Sequence, residues 1–549
     1  MSEPTSPAPP RVRTRRPAAS KQPLGLAIVA TALLLGACSG TAPLPPPALC
    51  PASAWIPGDA AYALIIHPAD LHGAAGRETL QRWKERGGLA TWIRERFLGL
   101  LGLDLFDPDA FAAAGLSLDH AIAVFGLGLR PAMVMHLQDP VRFRHFIAQA
   151  KEQNPQILSE SHVVAGRHVD AIALGRNRYT FLIEGQLLYG LLHGAHDALD
   201  EALVARLSLP QPEGSLGQGP LFRQAVAQSA PGEDFTAFFF LPVARFDAAL
   251  QENQGPATSP RALYLSDALH RAVSARDHRE RLRCQEAGAE LAQRLPFVAA
   301  HWRHATQSYA LHLALDAPTL ASLQALTDVQ PLPWRALSRN AIVAGALQLD
   351  LTAVPSFGAE DAHLMLCPNL GAVKGALAYL SQGIHESDAS QALSGRFLGA
   401  LYHFNPAAGL SGFPVGVLLV GARDMAATLH GFDLIFRALG ATRREVGDGT
   451  VRYGFFFNRI AFTTAPFDAW MALTFGEMAR EDVQRILAAE TQEVDAFALL
   501  AIDAPRLLNI VQRLLPLDDG EQPALGPSGA LRFFKATLRS DGLRVESLD

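Results

Sequence analysis

Two stretches of this chain repeat one alternation of apolar and polar positions. Ala132 to Leu137 is an apolar run closed by Asp139, and Phe143, Phe146 and Ile147 follow at helical spacing. Val415 to Val420 is a second such run, closed by Asp424, and Leu429, Phe432, Ile435 and Phe436 follow in the same way. Each predicts a strand, an acidic helix N-cap and an amphipathic helix. The correspondence continues in order. Strands expected over 169–174 and 177–181 match 451–457 and 458–462, and Asn-Arg-x-x-Phe recurs at Asn177 and Asn458. Helices are expected around 197–207 and 481–488. Next, an apolar strand at 237–241 runs into a helix through Phe246 and Leu250. Its match at 496–500 runs into one through Leu507, Leu508 and Val511. Opening strands are expected at 61–66 and 341–346, and closing strands at 308–315 and 533–538.

A fixed order of elements met twice is the mark of internal duplication. The expected fold is α+β, in two tandem copies of a mostly antiparallel sheet with helices packed on one face. The first copy spans 55–325 and the second 335–549, joined near the Pro-marked segment 328–333. An insertion at about 255–305 in the first copy has helical periodicity (Leu269, Val273, Leu282, Ala289, Leu291, Leu295) and reads as a helical hairpin with one solvated face. Asp541-Gly542 marks a turn between two alternating strands near the end.

The first fifty residues follow a different pattern. Arg11, Arg13, Arg15, Arg16 and Lys21 precede an apolar stretch from Pro23 to Leu35, too short to span a bilayer, and Leu35-Gly36-Ala37-Cys38 closes it. Leu-Gly-Ala-Cys resembles the lipobox of bacterial lipoproteins. That resemblance implies a signal peptide over 1–37, cleavage before Cys38, diacylglycerol on the Cys38 thiol and a fatty acyl chain (palmitate-like) on its new amino group. The alternative is an ordinary secretory peptide cleaved at a nearby Ala-x-Ala site. Thr14-Arg15-Arg16 could open a twin-arginine signal, but Pro17, Ala18 and Ala19 stand where that signal wants bulky apolar residues, so Sec export is expected. Ser39, in place of an inner-membrane aspartate, points to the outer membrane. Residues 38–54 hold the lipidated cysteine and a Pro-rich tether, extended at ~3.1 Å per residue.

Charge and cysteines narrow the setting. Five basic residues and Glu3 give the leader +4, so the remaining 512 residues carry −10 against −6 for the whole chain. A body that acidic disfavours nucleic acid and anionic headgroups as main partners. A hydrophobic share of 49% with 18% charged residues reads as globular, and no later run reaches the ~18 apolar residues of a membrane helix. Beyond Cys38 stand Cys50, Cys284 and Cys367. Either Cys284 and Cys367 pair or all three are isolated thiols. Without C-x-x-C, thioredoxin-like chemistry and zinc ribbons are not expected.

Spacing decides between the catalytic and the plain readings of several short motifs. Gly409-Leu-Ser-Gly412 and Gly526-Pro-Ser-Gly529 lack the nucleophile-elbow spacing and read as loops. Gly371-Ala-Val-Lys374-Gly375 lacks the P-loop glycines, and His385-Glu386 has Ala389 where a zincin needs its second histidine. His301 and His304, three apart in a stretch read as helical, and His193 and His196, read as ordinary histidines and not as ligands. Asp139 and Asp424 read as N-caps before they read as a paired acid site. No catalytic residue, metal or cofactor is expected. Phe238-Phe239-Phe240 and Phe455-Phe456-Phe457 put phenylalanine on both faces of a strand, which suits either a sheet packed on both sides or one lining an apolar cavity.

Pro57-Gly58-Asp59 before the strand–Asp–helix modules, with Asp541-Gly542-Leu543 in the closing hairpin, resembles an uncharacterised group of bacterial envelope proteins. The resemblance implies a tandem α+β periplasmic body and no known activity. The leading expectation is a lipid-anchored binding or scaffolding protein of the periplasm or cell surface, held to the outer membrane and meeting envelope proteins. The alternative is a carrier or chaperone for an apolar ligand, a lipid or hydrophobic peptide. An enzyme with a nonlocal site stands third.

Overall fold

In the computed structural model, the described residues are 51–72, 103–104, 107–154, 158–164, 166–174, 177–194, 214–229, 235–252, 286, 288–303, 306, 308–325, 327, 329–351, 389–403, 414–455, 460–476, 478–491, 495–503, 506–507 and 532–548. The leader, Cys38, the tether to Cys50, Cys284 and Cys367 lie outside them, as do the helix expected around 197–207 and most of the 255–305 insertion.

The chain is a mixture of helix and strand, rich in strand. Its first ten strands are β1 (Ala63–Ile66), β2 (Ile122–Leu127), β3 (Arg130–His136), β4 (Leu158–Val164), β5 (Arg167–Leu174), β6 (Asn177–Glu184), β7 (Leu187–Gly194), β8 (Ala237–Pro242), β9 (Phe297–Arg303) and β10 (Ser308–Ala314). The next ten are β11 (Val343–Gln348), β12 (Leu393–His403), β13 (Val415–Ala422), β14 (Thr442–Gly447), β15 (Thr450–Phe455), β16 (Ile460–Phe467), β17 (Trp470–Phe475), β18 (Ala498–Ile502), β19 (Arg532–Arg539) and β20 (Gly542–Leu548). All join one antiparallel sheet. From one edge, the first arm runs β4-β5-β6-β7-β3-β2-β1-β8-β9-β10. β10 then pairs with β20, and the second arm runs β20-β19-β18-β11-β12-β13-β17-β16-β15-β14 to the other edge. Read outward from the β10–β20 seam, the two arms follow one path.

Three expectations need correction. Phe297–Arg303 lies in the stretch expected to be helical, yet it is β9. Phe297, Ala299 and His301 are buried while Val298 and Ala300 are half-buried, a period of two. That shift also displaces the expected closing match. Residues 533–538 belong to β19, which takes the place of β9, and β20 takes the place of β10. The expected turn at Asp541-Gly542 is present. Gly542 has φ +148°, and a Cβ there would run into the carbonyl oxygen of Leu313 on β10, so glycine lets the seam close.

Helices cover both faces, not one. In the first arm, Phe222 and Ala225 of the helix Pro220–Ser229 join Ile65, Phe125, Phe238 and Phe240 in one core. On the opposite face, Phe111 and Phe143, from the helices Pro108–Ala113 and Pro140–Gln153, pack with Met135 and Leu188. In the second arm, Trp334 (helix Trp334–Ser338) and Val483 (helix Arg480–Leu487) pack with Ala346, Leu398 and Leu419. Phe436, in the helix Met425–Ala438, packs with Tyr453 and Leu473 on the other side. The cause is visible within single strands: Leu419 of β13 enters one core and its neighbour Leu418 packs against the other. Face A denotes the side of Phe222 and Trp334, and face B the side of Phe143 and Phe436.

Asp139 and Asp424 are N-caps. Asp139 accepts from the amides of Val141 and Arg142 at 2.9 and 3.0 Å, and those bonds lower its pKa from the usual carboxylate value. Asp424 accepts from the amide of Ala427 at 3.0 Å. Along the sheet they stand eleven strand steps apart, roughly 50 Å of sheet at ~4.8 Å per step, and each carboxylate is engaged at its own helix N-terminus. Asp424→Ala is expected to destabilise the protein by ~1 kcal/mol, with Asp139→Ala moving the same way, in urea denaturation curves.

Candidate functional site

Register places one row of side chains across ten strands on face B. It runs Val124, Leu64, Phe239, Ala300, Leu311, Val545, Ala536, Ala498, Leu347 and Phe397, each directly opposite the next. All ten are apolar, and all ten are half-buried. A shorter row beside it, Leu241, Val298, Leu313, Leu543 and Leu538, has the same character. Toward the two edges, face B is covered by the helices carrying Phe143 and Phe436. Among the described residues, the centre is therefore a half-buried apolar surface built by both arms, and it can bury apolar area against a partner.

Face A differs at the same strands. The row Ile65, Phe238, His301, Ala310, Glu546, Lys535, Leu499, Ala346 starts and ends in apolar cores but is interrupted by charge at the seam. Glu546 forms ion pairs with Lys535 Nζ at 3.2 Å, Arg544 Nε at 2.9 Å and, more loosely, Arg539 at 3.7 Å.

His301 sits where this seam meets the first core, and it is only 3% exposed. Burial, with repulsion from Arg303 and Arg544, pushes its imidazole from 6.5 down to about 3. The folded protein therefore holds it neutral, whereas the unfolded chain takes up a proton below pH 6.5. Its contribution is complete above pH 6.5 and is lost as pH falls from there toward 3. The slope is at most ~1.4 kcal/mol per pH unit. His301→Gln should flatten the pH dependence of stability between about pH 6.5 and about pH 4, measured by urea denaturation. An unchanged slope would mean that His301 does not carry it.

Among the residues considered from sequence, His301 lies on a strand, and its supposed partner His304 falls outside the described residues. So do His196, Gly371 to Gly375, His385-Glu386 and the two Gly-Ser-Gly loops. Among the described residues, no group of three or more His, Cys, Asp or Glu side chains is placed to hold a metal ion. Phe238 and Phe240 enter the face A core, and Phe239 enters the face B row. Phe455 packs edge-on against Phe436 and Phe462, and Phe456-Phe457 are outside the described residues. A serine–histidine contact escaped sequence reading. Ser117 Oγ meets His120 Nδ1 at 3.1 Å, and the His120 ring stacks on His136 at 4.0 Å. Ser117 Oγ also accepts from the amide of Asp119, which makes the group a side-chain-stabilised turn.

No family model matches the chain, and no curated protein matches it. Among solved structures, crystal form III of TP0453 aligns at 9% identity and a TM-score of 0.24, covering 53% of this chain and 90% of that one. Crystal form IV of TP0453 aligns at 14% identity and a TM-score of 0.21, covering 39% and 76%. Likenesses at this level fix neither fold nor function.

Proposed function

We propose that the chain is two copies of one ten-strand module, fused through β10 and β20, and that it serves as a lipid-anchored binding or scaffolding protein of the bacterial envelope. The matching strand order of the arms and the two capped helices support the duplication. The basic, apolar and Leu-Gly-Ala-Cys38 succession supports export and lipidation at Cys38, with the outer membrane as destination. The binding reading rests on one observation, the ten-residue apolar row on face B. Neither module makes that row alone, which gives a fused pair a purpose that a single module lacks. The partner is an apolar surface of another envelope protein.

A second reading is favoured by Phe239 and Phe397 in the same row, whose rings could wall an acyl chain or a hydrophobic peptide. Export of residues 51–549 without the anchor, followed by native mass spectrometry and organic extraction, separates the two. An added mass that extracts as lipid selects the carrier. A clean apo mass, with photo-crosslinks from position 311 to one envelope protein, selects the scaffold. Neither mass nor crosslink would sink both.

A further inference from the structure

The face A seam carries a feature that the face B readings do not use. One row there crosses three strands: His312 on β10, Arg544 on β20 and Thr537 on β19, each directly opposite the next. Among the described residues, neither nitrogen of His312 has a hydrogen-bond partner, and neither does Thr537 Oγ1. His312 is only 1% exposed, and the Arg544 side chain between it and Thr537 is 14% exposed. Buried polar atoms are almost always partnered, so two orphan side chains in one row call for an explanation. The flanking rows add more cations than acids. Lys535 and Arg539 stand on either side of Arg544, and the three cations share one carboxylate, Glu546. Asp541 in the turn also acts on His312, so among these side chains three cations face two acids. His301 stays neutral beside it. In a chain of net charge −6, this local cluster of cations stands out.

We propose that this row is a binding site for a phosphoryl oxyanion, either free phosphate or the phosphate of a lipid headgroup. The chemistry matches group by group. A neutral imidazole N–H and a threonine O–H supply two donors, the Arg544 guanidinium supplies a planar fork, and Lys535 and Arg539 supply point charge at the rim. An oxyanion would partner both orphans and offset the excess charge together. The site lies on the face opposite the apolar row, so it stands or falls independently of the scaffold and carrier readings.

Thr537→Val tests it sharply. If the hydroxyl has no partner in the empty protein, removing it should leave phosphate-free stability unchanged or raised. It should still weaken phosphate binding by ~3–10-fold. Arg544→Gln should weaken binding by at least ~10-fold; Lys535→Gln, on the more exposed rim, substitutes if that variant does not fold. Binding is read as a saturable rise in Tm with inorganic phosphate over chloride at matched ionic strength. It is also read from the His312 Cε1–H resonance, assigned by its loss in His312→Gln. A response to phosphate alone identifies the free anion, and a response only to dihexanoyl phosphatidic acid identifies a headgroup. The proposal is overturned if neither probe gives a saturable response, or if Thr537→Val and Arg544→Gln leave that response intact.

Discussion

A Cys38→Ala chain is expected to lose all incorporation of a labelled fatty acid and to move from the membrane pellet to the osmotic-shock fluid. Under the proposed lipidation the thiol accepts the diacylglycerol group, and no other residue in Leu35-Gly-Ala-Cys38 can take that role. The size of the effect follows from chain count. Each buried methylene contributes ~0.8 kcal/mol, one acyl chain holds a protein marginally and two or more hold it stably, so removing the attachment point removes the whole hold. Among the described residues no helix is long and apolar enough to cross a membrane. Cys50→Ala is the matched control, because it deletes a thiol at the far end of the tether and should leave labelling and fractionation unchanged. Membrane retention of Cys38→Ala without label would mean that another part of the chain holds the bilayer, and the tether reading would have to be abandoned.

Local chemistry was legible in the sequence, and long-range register was not. Asp139 and Asp424 could be read as caps because an N-cap is settled within three residues of itself. Most strands were visible as apolar runs. β9 was missed because Ala299, Ala300 and His301 follow a stretch rich in Ala, Arg and Glu, and only the contrast between buried and half-buried positions reveals its period. Coverage of both faces was misjudged for a related reason. A strand such as Val415–Ala422, apolar at every position, does not announce that each of its faces meets a separate helix. The two central features were out of reach altogether. Leu64 meets Phe239 and Leu311 meets Val545 across more than a hundred intervening residues, and the His312–Arg544–Thr537 row depends on pairing the ends of two modules. A one-residue slip in any of these pairings would send every side chain of the strand to the other face.

That dependence on face sets up the sharpest contrast within three consecutive residues. Phe240→Ala is expected to destabilise the protein by ~3–5 kcal/mol, and Phe238→Ala by a similar amount. Both rings are fully buried on face A. Phe222 meets them edge-on at 5.8 and 5.3 Å, Phe235 lies 5.1 Å from Phe238, and Phe297 lies 5.9 Å from Phe240. Truncation would leave a cavity that these packed neighbours close only in part. Phe239 lies between them in sequence and opposite them in space, half-buried beside Leu64 and Ala300. Phe239→Ala should therefore cost ~1 kcal/mol or less, because water already reaches part of the ring. Phe239→Asp should fold and yet lose whatever the face B row holds. Urea denaturation of all four variants decides the matter. If Phe239→Ala is as destabilising as Phe240→Ala, the face B centre is packed as tightly as a core and has no surface to offer a partner. If the losses divide by face, the middle of this sheet is a surface that the fold does not need for its own stability, which is what a docking site requires.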